Sequence, residues 1–462
     1  MIRLFKHYIS SNAILQILGD SFLFFVAMTL ITYYWGHHHH MYQETDHTAT
    51  RGWIFTAVMV SSMTASGLYE AWNWEGGLFG LLKRIILAIM LGIAMMTLIF
   101  YLFPKLFFDH YVLMFSLILS TSIITTQRII TLYWLNTSRY KRRVLVLGAG
   151  SRAARIEALY LKNDRHLRQR LNIIGYLPCE THASKIATNR MLDSNLDLQE
   201  IAQAYNIQEI VIAVRDRRDS LPMEKLFQCR IKGIRVTEIS LFFEREIGAL
   251  QLDSISTSWL IFSDGFQHGL IQKRIFDLLI SSLLLVLTLP LMLVAALLVL
   301  IEAGTPIIYT QERTGLYGKP FTIYKFRSMS KNAEQNGVAQ WAQKNDARIT
   351  RFGKIMRKFR IDELPQIFNV LRGDMSFVGP RPERPAFVHE FDQELPLYRH
   401  RHNLKPGITG WAQVCYPYGA SKTDTMEKLQ YDLYYIKNHS LFLDIMILLK
   451  TVQTVLLGNG AR

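Results

Sequence analysis

Two acidic residues stand side by side in the run Arg360-Ile361-Asp362-Glu363-Leu364-Pro365-Gln366-Ile367-Phe368-Asn369-Val370-Leu371. Ahead of them Arg351, Lys354, Arg357 and Lys358 recur at three- and four-residue spacing, which gives a helix one basic face. Pro365 suits a first helical turn, so Asp362 is the expected N-cap and Glu363 the first helical residue. Carboxylates at the positive end of a helix, beside a cationic stripe, mark a place that stabilises anions, phosphate included. Such a place could hold an ionised aspartate as a nucleophile, with a divalent metal screening it from an incoming diphosphate. Taken alone, the pair reads better as a capped helix start whose acids answer the helix dipole.

It is not alone. Upstream lie Gln311-Glu312-Arg313-Thr314-Gly315-Leu316-Tyr317-Gly318-Lys319-Pro320-Phe321 and Tyr324-Lys325-Phe326-Arg327-Ser328-Met329. Downstream lie Gly373-Asp374-Met375-Ser376-Phe377-Val378-Gly379-Pro380-Arg381-Pro382, Lys405-Pro406-Gly407-Ile408-Thr409-Gly410-Trp411-Ala412-Gln413 and Tyr431-Asp432-Leu433-Tyr434-Tyr435. Arginine and lysine beside glycine and proline turns suit rigid phosphate binding, with arginine able to pair bidentately. Arg313, Lys325, Arg327 and Arg381 are the candidate phosphate and nucleotide ligands. His389, His400, His402 and His439 have no metal-binding spacing and read as surface or structural residues.

The elements that must carry these groups begin in a membrane. Of 462 residues 50% are apolar and only 19% charged, below the roughly 25% of soluble domains. That composition, with 13 prolines, excludes disorder, and three cysteines (Cys179, Cys229, Cys415) make no disulfide framework. Apolar stretches at 12–34, 52–71, 82–103 and 111–134 each approach the ~20 residues that cross a bilayer. Arg3 and Lys6 precede the first, and Arg139, Lys141, Arg142 and Arg143 follow the fourth. The positive-inside rule therefore puts both ends of this region in the cytoplasm. His37–His40 falls in the outer loop; a histidine tract can bind zinc, but a solvated loop is the better reading. The net charge of +15 points to anionic lipids or phosphorylated substrates before nucleic acid.

A fifth apolar stretch runs from Leu278 to Ile301 with Pro290 near its middle. A full crossing would put everything after Glu302 outside, yet residues 303–462 hold 23 Lys/Arg against 14 Asp/Glu, which favours the cytoplasmic side. Pro290 removes a backbone donor and crowds the preceding turn. The expectation is a broken, re-entrant helix over about 276–301; the alternative is an ordinary fifth span with a tolerated kink. Between the membrane region and this stretch, strand 143–147 leads into Gly148-Ala149-Gly150-Ser151-Arg152-Ala153 and a helical pattern, a GxGxxA turn in a Rossmann setting. Further strands at Asn172–Leu177, Glu209–Val214 and Gly233–Ile239, with a helix at Leu198–Tyr205, complete an α/β alternation. Gly148 and Gly150 are a candidate nucleotide loop. The acid expected at the end of the second strand is only Glu180, displaced behind Pro178, so a structural or regulatory module is the better reading.

Over about 270–462 the motifs around Asp362 resemble the bacterial sugar transferase family, the polyprenyl-phosphate glycosyl-1-phosphate transferases. The full layout resembles its large, exopolysaccharide-initiating branch. The Lys273-Arg274-Ile275-Phe276-Asp277 lead into a proline-broken helix also matches, although Leu289-Pro290 stands where the family often has Ser-Pro. The resemblance implies a four-span α-helical bundle (1–138), a Rossmann-like α/β domain (139–265) and a mainly α monotopic catalytic domain (266–462), in a bacterial inner membrane with catalysis on the cytoplasmic face. It implies that Asp362 attacks the β-phosphate of a UDP-sugar, expelling UMP, and that polyprenyl (undecaprenyl) phosphate then takes the sugar phosphate. Asp362 and Glu363 would hold Mg²⁺, and Arg313, Lys325, Arg327 and Arg381 would contact the donor. A homodimer and other polysaccharide assembly proteins are the expected partners, and glucose or galactose the family-level sugar. Two rivals stay open. Membrane-anchored nucleotide-sugar-modifying enzymes also join four spans to a Rossmann domain, but need a Tyr-x-x-x-Lys pair there; Tyr101/Lys105 and Tyr418/Lys422 lie elsewhere in the chain. A nucleotide-sensing scaffold would leave the Asp362 cluster unexplained.

Overall fold

The computed structural model describes residues 1–38, 48–69, 77–107, 109–134, 141–161, 165–179, 184–193, 197–215, 221–255, 266, 270–330, 348–416 and 421–457. The chain divides into two compact units, Tyr8–Glu246 with Met1–Ile2, and Ile247–Arg462 with Arg3–His7. The division at Glu246 comes earlier than the expected boundary at 265, and the first unit takes in both the helical region and the α/β domain.

The first unit opens with four helices, α1 (Ser11–His38), α2 (Thr48–Ala65), α3 (Gly77–Leu102) and α4 (His110–Trp134). Ser11–Trp35, Gly77–Leu102 and His110–Thr131 are each long and apolar enough to cross a membrane. Helix α2 is shorter than the expected span, because the left-handed Gly67 ends it: the Leu68 amide turns back to the Met63 carbonyl at 3.0 Å. It packs against α1 and α3 through Phe55, Met59 and Met63, and Gly92 leaves room for the Met59 thioether. Inside the bundle Arg128 of α4 and Asp20 of α1 form a buried ion pair at 2.5 Å. A charge pair inside an apolar bundle is tolerated because each partner neutralises the other. The side chains of the His37–His40 run lie outside the described residues.

The α/β part follows with β1 (Arg142–Leu147), α5 (Ser151–Leu161), β2 (Leu171–Leu177), α6 (Leu198–Ala204), β3 (Glu209–Ile212), α7 (Met223–Ile231), β4 (Arg235–Glu238) and α8 (Ile239–Glu246). The strands lie in the order β2-β1-β3-β4, all parallel, within two or three residues of the expected limits. Val144–Leu147 are wholly buried, as the central strand of a sheet covered on both faces requires.

The second unit is built on α9 (Leu270–Ala303), one helix of 34 residues that continues through Pro290. Helical structure thus runs across the position of the expected break. A proline costs a helix one hydrogen bond, which local adjustment can absorb. Both ends of α9 are fastened within this unit. At one end Arg274 donates to the carbonyls of Val370 (2.6 Å) and Leu371 (2.8 Å), and Asp277 accepts from the Ser376 hydroxyl and the Phe377 amide, each at 3.0 Å. At the other, Glu302 accepts from the amides of Arg351 (2.7 Å) and Phe352 (3.0 Å). Between these ends Val286, Leu293 and Val294 stay exposed.

Beyond α9 come the antiparallel pair β5 (Ile308–Thr314) and β6 (Pro320–Phe326), then α10 (Arg351–Lys358) and α11 (Gln366–Arg372). Strand β7 (Ser376–Val378) runs parallel to β8 (Gly407–Thr409), with α12 (Pro385–Glu394) between them in sequence. Helices α13 (Lys422–Asn438) and α14 (Leu441–Leu457) close the core around Trp411, Leu433, Tyr434 and Tyr435. Two distant pieces of chain join this core. The Trp411 indole donates to Gly248 O at 2.7 Å, which is why 247–255 belongs here rather than to the α/β domain. His7 Nδ1 lies 2.7 Å from the Tyr434 hydroxyl.

The β7–β8 pairing leaves no room for side chains where it meets the next loop. A Cβ on Gly407 would stand 2.1 Å from Gly379 N and 2.5 Å from Thr409 O. Gly407→Ala is therefore expected to destabilise the second unit by about 3 kcal/mol, read as a lower unfolding temperature of the detergent-solubilised protein; an unchanged temperature would contradict this packing.

Candidate active site

Arg360 sets the geometry. Helix α10, capped at its start by the Thr350 hydroxyl on Gly353 N (2.9 Å), ends at Phe359, and Arg360 then takes a left-handed conformation (φ 60°, ψ 19°). A non-glycine residue held there is strained, and such strain gathers at functional sites. The reversal throws Ile361–Glu363 into a single 3₁₀ turn ahead of α11, whose N-cap is Pro365. Asp362 is thus not the N-cap that the spacing predicts. It lies in the turn between two helices, so its carboxylate is not spent on helix amides.

Asp362 and Glu363 are both buried, at 8% and 6% exposure. Glu363 is fully engaged: its Oε1 lies 2.9 Å from Lys325 Nζ and 3.3 Å from Arg381 Nη2, and its Oε2 3.3 Å from Arg360 Nη1. Asp362 differs, since its buried Oδ1 has no hydrogen-bond partner among the described residues. Burial pushes the Glu363 carboxyl up, but Lys325, Arg381 and Arg360 outweigh it and hold it well below the usual carboxylate range. At Asp362 burial, and then the Glu363 charge, push the carboxyl up against the pull of Lys325, Arg357 and Arg360. Neighbouring acids are so driven apart, one fixed as an anion and the other left basic and unshared.

Two frames aim the cations. Asn369, buried in α11, donates to Thr322 O (2.7 Å) and accepts from Tyr324 N (3.1 Å), tying the edge of β6 to the helix after the acidic turn. Lys325 follows Tyr324 and so faces Glu363. Arg381 leaves the Gly379–Pro380 loop, which is pinned by Gly379 N to Thr409 O and Gly407 N to Pro380 O, each at 2.9 Å. Lys325 and Arg381 therefore come together with the acidic pair, as the sequence suggests. Arg327 lies just past β6, with its Nη1 buried and unpartnered among the described residues. Arg313 does not join the pair: it donates to Pro382 O (3.1 Å) and Gln311 Oε1 (2.6 Å) beside the Arg381 loop. Sequence reading gave no role to Arg360 or Asn369. An asparagine inside an otherwise apolar helical run was the available signal for the latter.

A divalent cation held by protein often takes only one or two carboxylates and completes its shell with phosphate and water. The unshared Asp362 Oδ1 fits that habit, whereas both Glu363 oxygens already face cations. Among the described residues no group of three or more His, Cys, Asp and Glu gathers as a metal site. His402 and His439 are buried and His389 bonds Gln393, in line with structural roles. In the α/β domain Gly148 has φ 112°, and a Cβ there would stand 3.1 Å from Ala213 C. Lys185 N donates to Ala149 O, and Arg152 reaches Val214 O at 2.9 Å, so the glycine turn is packed on its own chain. Glu180 lies outside the described residues.

Residues 268–458 match the family model described as bacterial sugar transferase. An uncharacterized sugar transferase of Bacillus subtilis, EpsL, is 42% identical over 197 residues, 42% of this chain and 91% of that protein. The chain belongs to the bacterial sugar transferase family. It is also 46% identical over 237 residues to the UDP-N-acetylgalactosamine-undecaprenyl-phosphate N-acetylgalactosaminephosphotransferase of Aeromonas hydrophila, covering 51% of this chain and 56% of that protein. With the UDP-glucose:undecaprenyl-phosphate glucose-1-phosphate transferase of Klebsiella pneumoniae it shares 44% identity over 188 residues, 40% of each chain. The matched segment thus spans about half of the Aeromonas relative and less of the Klebsiella one.

Folding raises the Asp362 pKa, so its ionised form opposes folding wherever it is charged. Asp362→Asn is expected to stabilise the fold at neutral pH by on the order of 1 kcal/mol. The gain should shrink as pH falls through the raised pKa and vanish below the ordinary carboxylate range. Thermal unfolding of both proteins at neutral and acid pH checks this; a variant less stable at neutral pH would contradict it.

Proposed function

We propose that this chain transfers a sugar 1-phosphate from a UDP-sugar to a polyprenyl phosphate at the cytoplasmic face of a bacterial inner membrane, releasing UMP and starting a glycan repeat unit. The observation that carries the reading is the division of labour between the acids: Glu363 held by three cations, Asp362 buried, basic and unshared. Asp362 attacks the sugar-bearing β-phosphorus of the donor. The bond from that phosphorus to the bridging oxygen breaks, UMP leaves with the electron pair, and an aspartyl phosphosugar remains. An oxygen of the polyprenyl phosphate then attacks the same phosphorus. The carboxylate of Asp362 is released, and polyprenyl diphosphate-sugar forms.

Lys325 and Arg381 neutralise and orient the donor diphosphate, and Arg357 and Arg360 add positive charge on the Asp362 side. Mg²⁺, held by the unshared Asp362 oxygen with the substrate phosphates, would supply further charge neutralisation on the diphosphate, while Glu363 stays engaged with Lys325, Arg381 and Arg360. In this reading α9 enters and leaves the inner leaflet on one side. The support is that its two ends bond to residues of one unit, Val370, Leu371 and Ser376 at one end and Arg351 and Phe352 at the other. Such fastening keeps the acidic turn at the surface where a phosphorylated lipid presents its headgroup. A homodimer and other polysaccharide assembly proteins complete the reading as partners.

The test is UMP release by detergent-solubilised protein with Mg²⁺ and undecaprenyl phosphate. The donor panel includes UDP-N-acetylgalactosamine, the donor in the Aeromonas relative's name, with UDP-glucose and UDP-galactose. One donor is expected to give lipid-dependent UMP, and Asp362→Asn to lower its rate at least about 10³-fold. The acid limb of the rate should lie above the ordinary aspartate range, because the nucleophile must be ionised and its pKa is raised. Turnover kept by a folded Asp362→Asn protein would sink the mechanism.

A further inference from the structure

Behind Arg381 lies a second buried charge pair. Arg401, in the 3₁₀ segment Tyr398–Asn403, directs its guanidinium to three oxygens: the Tyr398 hydroxyl (2.8 Å), the main-chain carbonyl of Arg381 (2.9 Å) and the Asp432 carboxylate (2.9 Å). Arg401 and Asp432 are both nearly inaccessible to solvent, at 6% and 3% exposure. Along the chain Arg401 lies 20 residues from Arg381, the group facing the acidic turn that it supports. Taking a charge pair out of water brings little net stability, so its worth has to be sought in what it fixes.

What it fixes is one peptide. Gly379 and Pro380 are already bound to β8, and Arg381 Nη2 reaches Glu363 Oε1 at 3.3 Å. Arg401 Nη2 clamps the carbonyl on the far side of the same residue. The Arg381 backbone is thus held before and after its Cα, which limits the directions its guanidinium can take. Asp432, on α13, lies 2.9 Å from Arg401 Nη2 and holds the guanidinium turned toward that carbonyl. A lysine could not serve, having no planar fork to meet a carbonyl and a carboxylate together.

We propose that Arg401 and Asp432 are positioning residues that act on phosphate transfer through Arg381, an inference that rests on the transferase reading above. Asp432→Asn keeps the size of the side chain and removes its charge. It is expected to lower kcat/KM for the UDP-sugar about tenfold, since small displacements of a charged clamp are felt strongly in transfer reactions. A purely structural role would have the same cost whether or not Arg381 has a guanidinium. Action through Arg381 would not, and a double-mutant cycle separates the two.

The experiment measures UMP release and thermal unfolding for the full-length wild type, Asp432→Asn, Arg381→Ala and the double variant. Arg381→Ala retains the carbonyl that Arg401 binds. Asp432→Asn should therefore lower the unfolding temperature equally in both backgrounds. Its effect on kcat/KM, about tenfold in the wild type, should fall below about twofold in Arg381→Ala. Equal losses of kcat/KM in both backgrounds would overturn the proposal. Should Asp432→Asn fail to fold, Arg401→Lys is carried through the same cycle with the same expectation. If the wild type turns over no donor, the transferase reading fails and this inference falls with it; additive losses in an active enzyme defeat this inference alone.

Discussion

Asp362 and Glu363 repel one another across adjacent positions of a buried turn, and the second unit depends on how that repulsion is resolved. Three cations converge on Glu363, from a strand (Lys325), a loop (Arg381) and the strained residue just before the turn (Arg360). Because they converge on one acid, the other keeps a basic, unshared oxygen in a place with little water. Each cation requires its own support: Asn369 on the edge of β6, the side-chain-free contact of Gly379 with Gly407, and the left-handed Arg360. Removing any one would blur the difference between the two carboxyls.

Much of this was legible in the sequence because the signals were local. The parallel strands of the α/β domain followed from apolar runs bounded by turn residues, and the cationic candidates Lys325 and Arg381 lay in glycine- and proline-rich motifs. The errors arose where a single residue or a distant partner decided. The left-handed Arg360 moved Asp362 out of the N-cap position, and no periodicity announces a reversed φ on an arginine. Gly67 shortened α2. Gly248 and His7 belong to a core whose other members, Trp411 and Tyr434, lie far along the chain.

Helix α9 illustrates a different limit. Its composition is that of a membrane span, and Pro290 suggests a break; the helix is nevertheless continuous. Composition reports what solvent a helix prefers, whereas the side on which it emerges depends on what its ends bind. Here the polar termini, Lys273 to Asp277 and Glu302, hydrogen-bond to other parts of the unit. The apolar middle between them stays exposed.

The short segment Arg3–His7 has a consequence for how the protein is made. It leaves the ribosome more than four hundred residues before the groups that receive it, Tyr434 and Ser440. Throughout elongation, then, this strip of chain waits undocked just ahead of α1, while the helices behind it are synthesised. The core around Trp411 cannot close before α13, with Leu433, Tyr434 and Tyr435, has emerged, so the second unit is completed late in synthesis.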